Sequence, residues 1–267
     1  MQRPVVHSSP GPSVPAPVWQ TSQHPDHLQR QRYKLWVDPV LEVLSPILED
    51  RGRQLGNVVC FAGCAGLVTE HKPLELLGIK TEFEYVADPE AYSFQWRRAN
   101  GPVCKHHFRD MVDVGRYGKG FCYEHGCVCE ATIPQDVAHK KFTCGTSCKP
   151  FSTARAHRIS EGTMQHKDRN LWDAFLNELL RIDADEAWLE NVMGIVMRES
   201  KEVAKSPLQS MIEEASEKAP QYAIRVFFMP GNTFLPLSRR RVFVHMLHNR
   251  RGGAAAQDRM VGYLKAN

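Results

Sequence analysis

From Asn57 onward the chain alternates short apolar runs with longer amphipathic stretches, the pattern of successive strand-helix-strand units around a mostly parallel sheet. Strands are predicted at Asn57 to Phe61, Phe83 to Ala87, Val103 to Phe108 and Lys141 to Cys144, with helices from about Gly66 to Leu77 and from Pro89 to Arg98. Between Asp168 and Arg181, the side chains of Leu171, Trp172, Phe175, Leu176, Leu179 and Leu180 share one broad face. This predicts a helix that delivers the chain to a strand at Ala187 to Leu189. A helix over Lys201 to Lys218 then leads to a strand at Tyr222 to Phe228, and the apolar run Arg241 to Leu247 reads as a final strand. Upstream, Leu35, Trp36, Val40, Leu41, Leu44 and Ile47 recur at helical spacing, interrupted by Pro39 and Pro46, so a broken helix is expected over Tyr33 to Asp50. The fold class is α/β, with no internal repeat.

At 267 residues and 42% apolar side chains the chain can bury one substantial core. A single domain is expected over residues 33–250, followed by a short tail over 251–267. Residues 1–32 carry six prolines among Ser, Gln and His, with no apolar period to offset their ordering entropy, and are expected to form a disordered tail. No run of about 18 uncharged apolar residues is present, and no charged region followed by an apolar one opens the chain, so a soluble, non-secreted protein with no membrane partner is expected. Eight cysteines then read as thiols, metal ligands or a nucleophile rather than as a disulfide framework. A formal charge of +4 identifies no partner, although Arg155 to Arg158 and Arg239 to Arg241 are local basic runs.

Four short constellations carry chemistry. Phe61-Ala62-Gly63-Cys64-Ala65-Gly66 leaves a predicted strand and enters a helix, where glycines allow a tight turn and close backbone approach by a nucleotide-like ligand; small residues at such a turn serve packing equally well. Asp88 and Asp110 fall after the second and third strands, where they converge on one ligand crevice or stand as solvated loop carboxylates. Cys144-Gly145-Thr146-Ser147-Cys148-Lys149-Pro150-Phe151-Ser152 places a thiol beside a lysine on a loop of small residues, either an inert thiol or a nucleophile, since a nearby cation favours thiolate. Leu189-Glu190-Asn191-Val192 ends a strand as a turn or a site. Pro236-Leu237-Ser238-Arg239-Arg240-Arg241 precedes one, with alternate arginines pointing the same way, as a solvated loop or a grip on phosphate or base.

Their order makes the chain resemble the cytosine-5 methyltransferase family. That family shows a Phe-x-Gly-x-Gly cofactor loop, then Pro-Cys-Gln with Phe-Ser, then Glu-Asn-Val, then Gln-x-Arg-x-Arg. The counterparts are Phe61 to Gly66, Ser147-Cys148-Lys149 with Phe151-Ser152, Glu190-Asn191-Val192 and Leu237-Ser238-Arg239-Arg240-Arg241, and Arg169-Asn170-Leu171 looks like the family's segment before Glu-Asn-Val. The resemblance covers Asn57 to Leu247. It implies a Rossmann-like sheet with helices on both faces that binds S-adenosyl-L-methionine. Phe61, Gly63 and Gly66 would lie at the methionine side of the cofactor, Asp88 near the ribose and Asp110 near the adenine. Cys148 would add to C6 of a flipped cytosine, Glu190 would hydrogen-bond or protonate its N3 edge, Asn191 would fix the loop, and Arg239 and Arg241 would hold the nucleotide.

The implied substrate is cytosine in DNA, with transfer RNA as the alternative and a nuclear location following from DNA alone. The sequence departs from the family at several positions. Val59 and Val86 stand where many members are acidic, Ala65 replaces a glycine, Ser147 and Lys149 replace proline and glutamine, and Leu237 replaces a glutamine. The family's target-recognition domain and final helix have no counterpart after Arg241, so a partner subunit supplying recognition, or a non-catalytic binding module on the same sheet, is the competing expectation.

An insertion at about 104–130 contains Cys104, His106, His107, Cys122, His125, Cys127 and Cys129. A four-ligand zinc site is one reading. Cys127-x-Cys129 is tighter than the usual two-to-four-residue ligand spacing, and the expectation is free thiols in a surface insertion, with no metal.

Overall fold

β1 (Val58–Gly63) is buried at all six positions, as a strand must be when it is paired on both edges and covered on both faces. In this computed structural model residues 56–66, 71–76, 78–152, 167–198, 203–229 and 240–266 are described. All of them fall in one compact unit spanning residues 43–267. The expected tail over 1–32, the broken helix at Tyr33 to Asp50 and Arg239 lie outside the described residues.

β1 pairs in parallel with β2 (Thr81–Ala87) on one side and with β6 (His139–Cys144) on the other. β3 (Cys104–Phe108) extends the parallel set beyond β2, and β7 (Glu186–Val192) extends it beyond β6. Antiparallel strands close both edges: β4 (Lys119–Cys122) and β5 (Cys127–Glu130) beside β3, β9 (Arg241–His248) and β8 (Tyr222–Met229) beside β7. The sheet order is β5-β4-β3-β2-β1-β6-β7-β9-β8. This is a Rossmann-like, mostly parallel sheet.

Helices α1 (His71–Leu76), α2 (Ala91–Asn100), α3 (Met111–Tyr117), α4 (Asn170–Ile182), α5 (Pro207–Lys218) and α6 (Gly253–Ala266) accompany it. One face packs Phe61, Tyr85, Phe108 and Phe142 against Trp172, Phe175, Leu176 and Leu179 of α4. The other packs Val58, Cys60, Ala62, Phe83 and Val86 against Leu74 of α1. A one-residue slip of the β1–β2 register puts Phe83 and Tyr85, two residues apart, on opposite faces: Phe83 pairs Cys60 while Tyr85 pairs Phe61.

Several elements differ from the sequence expectation. α5 starts at Pro207, not near Lys201, because Ser206 and Gln209 form a capping box and Pro207 supplies the first helical position. α3 and the β4–β5 hairpin fill the stretch that hydrophobic period leaves blank, and residues 253–266 of the expected short C-terminal tail form α6.

One buried charge ties the layers together. Glu178 of α4 is fully buried. It accepts from Tyr85 Oη at 2.5 Å and from Arg181 Nε and Nη2 at 2.6 Å each, while Arg181 Nη1 donates to the Ala131 carbonyl at 2.5 Å. Burial, then the Glu178 charge, pushes the Tyr85 hydroxyl well above its ordinary range. Sheet, helix and the segment after β5 thus share one polar node whose every member is satisfied.

α3 reaches α4 at backbone distance. A Cβ on Gly115 would stand 2.6 Å from the Ala174 Cα and carbonyl oxygen. Gly115→Ala is therefore expected to cost about 1–3 kcal/mol, the range for overpacking, measured by urea unfolding. An unshifted midpoint would contradict the contact.

Asp185, buried before β7, accepts from Arg250 Nε and Arg251 Nε at 2.7 Å and from the Lys140 amide at 2.8 Å. Burial pushes its carboxyl up, but the bonds from Arg251, Arg250 and Lys140 outweigh that and hold it well below the usual carboxylate range. A lowered folded value means stabilisation that is complete above the usual range and lost as pH falls below about 4. Asp185→Asn is expected to lose about 2 kcal/mol at neutral pH and to show a weaker acid-side decline than the parent. Parallel stability-versus-pH curves for the two proteins would count against this reading.

Candidate active site

From β1 the chain builds outward first through β2 and β3, then returns to the other side of β1 for β6 and β7. The topological switch point therefore lies between β1 and β6. In such sheets the ligand crevice opens outside the carboxyl ends of the strands at that point. Five parallel strands, β3, β2, β1, β6 and β7, end at this edge.

The loop after β1 is held by its neighbour strand. Ala65 N donates to the Ala87 carbonyl at 3.2 Å and Gly66 N to Asp88 Oδ2 at 2.8 Å, while Asp88 Oδ1 accepts from Glu90 N at 3.0 Å. Cys64 and Gly66 adopt φ of 50° and 55°, the left-handed region that costs a non-glycine residue about 1 kcal/mol or more. Cys64 thus carries local backbone strain at the switch point.

The five expected cofactor residues occupy different settings. Phe61 is fully buried, edge-on to Tyr85 at 5.3 Å, so its ring belongs to the core. A Cβ on Gly63 would meet Met111 Sδ at 2.8 Å and Cys144 Sγ at 3.2 Å, whereas at Gly66 no described atom lies within 4 Å of that position. Asp88 is buried against the loop it braces. Asp110 caps α3 by accepting from Val112 N at 2.8 Å. Among the described residues, Gly66 is the member of this set whose Cβ position is left open.

The loop after β6 meets the first loop directly. Gly145 N donates to the Gly63 carbonyl at 3.2 Å, and a Cβ on Gly145 would lie 3.3 Å from the Cys64 carbonyl oxygen and 4.0 Å from Glu190 Oε2. Buried Asn191 of β7 donates its amide to Thr146 Oγ1 at 2.9 Å and to the Thr146 carbonyl at 3.3 Å. Ser147 Oγ donates to Asp168 Oδ2 at 2.7 Å. Beyond it, Cys148 is exposed, and its carbonyl accepts from Phe151 N at 3.0 Å and Ser152 N at 2.8 Å, with Phe151 buried beneath.

Glu190, at the carboxyl end of β7, pairs with Arg241 at the start of β9, Nε to Oε1 at 2.5 Å. The structure thus brings Glu190 and Arg241 together beside the loop that carries Cys148. Thr146 and Asp168 hold that loop, and sequence reasoning did not single them out. Asp168 directly precedes the Arg169-Asn170-Leu171 segment, which is the signal that could have found it; Thr146 had none. An open groove lined by Thr81, Phe83, Gly101 and Cys104 lies at the opposite ends of β2 and β3, away from these side chains.

No family model matches the chain, and no curated protein matches it. Solved structures do. Against the Schizosaccharomyces pombe Dnmt2 methyltransferase the identity is 16% and the TM-score 0.44, over 72% of this chain and 50% of that one. Entamoeba histolytica methyltransferase EhMeth gives 16% and 0.44 over 72% and 52%, and a mutant of Spodoptera frugiperda DNMT2 gives 11% and 0.42 over 73% and 50%. The chain spans about half the length of the solved structures it matches.

Replacing Asn191 by Ala leaves the buried Thr146 oxygens without their donor. The expected cost is about 1–3 kcal/mol, together with faster alkylation of Cys148 as its loop loosens. Unchanged unfolding and unchanged thiol reactivity would show that Asn191 does not hold the loop.

Proposed function

We propose that the chain is a cytosine-5 methyltransferase that acts on a nucleic acid through Cys148. The observation that carries this reading is the Glu190–Arg241 ion pair at the strand-end edge. It stands beside the Cys148 loop and across Gly145 from the strained turn at Cys64 to Gly66.

The donor set fits a sulfonium cofactor at the switch point: Gly66 leaves room for close approach, and the Asp88 and Asp110 carboxylates stand at the neighbouring strand ends. S-adenosyl-L-methionine bound there supplies the methyl group as an electrophilic carbon. The chain's own groups prepare the base. The Cys148 thiolate forms a bond to C6 of an extruded cytosine, and the electron pair of the C5–C6 double bond is displaced toward N3, leaving C5 nucleophilic. Glu190, held in place by Arg241, donates a proton to N3 as negative charge develops there, and its carboxylate then accepts hydrogen bonds from the amino group and from the new N3–H. After C5 takes the methyl, N3–H returns its proton to the Glu190 carboxylate, the C5 proton leaves to solvent, the C5–C6 double bond re-forms, and the bond between Sγ and C6 breaks to return the thiolate. Ser147, tied to Asp168, and Thr146, tied to Asn191, position the nucleophile's loop.

DNA is our reading of the substrate, and RNA is the outcome the same experiment would reveal. The whole chain is incubated with S-adenosyl-L-methionine and with DNA or RNA oligonucleotides carrying 5-fluorocytosine, then denatured. A covalent adduct with the parent protein and none with Cys148→Ser is expected, and Glu190→Gln should slow adduct formation by about 100-fold or more. If neither nucleic acid is trapped and calorimetry detects no cofactor binding, the chain is a binding module rather than an enzyme.

A further inference from the structure

The β4–β5 hairpin does more than close a sheet edge. It folds Cys122, His125 and Cys129 toward His106 of β3, and one ligand-capable atom from each of the four lies within 4.8 Å of all the others. His125 Nδ1 stands 3.3 Å from Cys122 Sγ and 3.5 Å from Cys129 Sγ. One imidazole nitrogen has a single lone pair or a single proton, so two thiols can share it only through a weaker bifurcated contact. A shared cation resolves that. Zinc bonds of about 2.3 Å to sulfur and about 2.0–2.1 Å to nitrogen in a tetrahedron imply ligand separations of about 3.4–3.8 Å, close to the two distances observed.

Three further observations point the same way. The buried Nδ1 of His106 has no hydrogen-bond partner. The His107 backbone N–H donates to Cys122 Sγ at 3.4 Å, the kind of bond that supports a thiolate ligand. Finally, two residues separate Cys122 from His125 and three separate His125 from Cys129, both within the ordinary two-to-four-residue ligand spacing. Cys127, exposed with its Sγ 3.8 Å from that of Cys129, stands outside the four.

We propose that His106, Cys122, His125 and Cys129 form a structural zinc site that cross-links β3 to the β4–β5 hairpin. Binding displaces one proton from each of the two thiols, and two thiolates with two neutral imidazoles balance the dication. Four protein ligands leave no open position, so the site is architectural and does not take part in methyl transfer. The assignment is independent of the proposed activity.

The test uses the full chain, stripped by a chelator and reloaded with zinc(II) or cobalt(II). One equivalent of metal per chain is expected, with the thiolate-to-cobalt charge-transfer bands and intense visible bands of a tetrahedral centre. In the parent protein zinc should abolish alkylation of Cys129, mapped by mass spectrometry, and leave Cys148 as reactive as before. Cys127→Ser should keep both signatures, whereas Cys129→Ser and His125→Ala should lose the tetrahedral spectrum. The footprint on the parent protein stands even if those variants fold poorly. A reloaded parent chain without tetrahedral cobalt bands, or one in which zinc leaves Cys129 fully reactive, would overturn the assignment.

Discussion

The parallel register of β1 with β6 is the constraint on which the site depends. Gly63 pairs Cys144, so the two strands end level and the loops that leave them start at the same height. They can touch only because the residues there are small: Gly145 donates to the Gly63 carbonyl and sits against the Cys64 carbonyl, and Gly63 itself has no room for a side chain beside Met111 and Cys144. The strained turn and the Cys148 loop are therefore one backbone construction. Asp88 braces it from the β2 side and Asn191 from the β7 side. Each brace is a buried or nearly buried polar group spent on backbone or hydroxyl partners, where an unmade bond would be costly.

The antiparallel edge contributes the second requirement. β9 returns beside β7 with Arg241 opposite Val192 and Phe243 opposite Glu190. Because side chains alternate, Glu190 and Val192 share a face, and Arg241 shares it with them. The diagonal contact between Arg241 and Glu190 follows from that register. A slip of one residue would turn the arginine to the other face, away from the carboxylate. Strand pairing, not a loop, thus places the arginine beside the acid on which the proposed chemistry rests.

The parallel strands were legible in the sequence for a physical reason. β1, buried on both faces, reads as an unbroken apolar run, β2, β3 and β6 keep shorter buried stretches among polar residues, and α4 carries a broad apolar stripe. The order of motifs also singled out Cys148, Glu190 and Arg241 as candidates. What the sequence could not show is how each loop residue is used. Phe61 in its core setting and Gly66 against open space are equivalent as letters in a glycine-rich turn. Thr146 and Asp168 reach partners 45 and 21 residues away along the chain. α3 is seven residues long and contains a glycine, and the first turn of α6 is glycine and alanine with no apolar stripe. Neither advertises itself through periodicity.

The hairpin was hidden for a related reason, which also bears on what holds it. Lys119, Cys127, Val128 and Glu130 are exposed, so β4 and β5 show little of the alternation that marks a half-buried strand. A two-stranded hairpin with so little apolar burial is marginal by itself. Its register against β3 is confined to the pair Phe108 and Cys122. Part of its attachment is polar, through the Arg97–Glu124 ion pair and the Tyr123 hydroxyl on the Pro89 carbonyl. The adjacent Cys127 and Cys129 suggested an unsuitable ligand spacing only because the sequence does not reveal that His106 arrives from β3. Once the sheet supplies it, four ligand residues surround the junction that hydrophobic burial leaves weakest, and a metal cross-link there would stabilise the edge from which Asp110 and α3 depart.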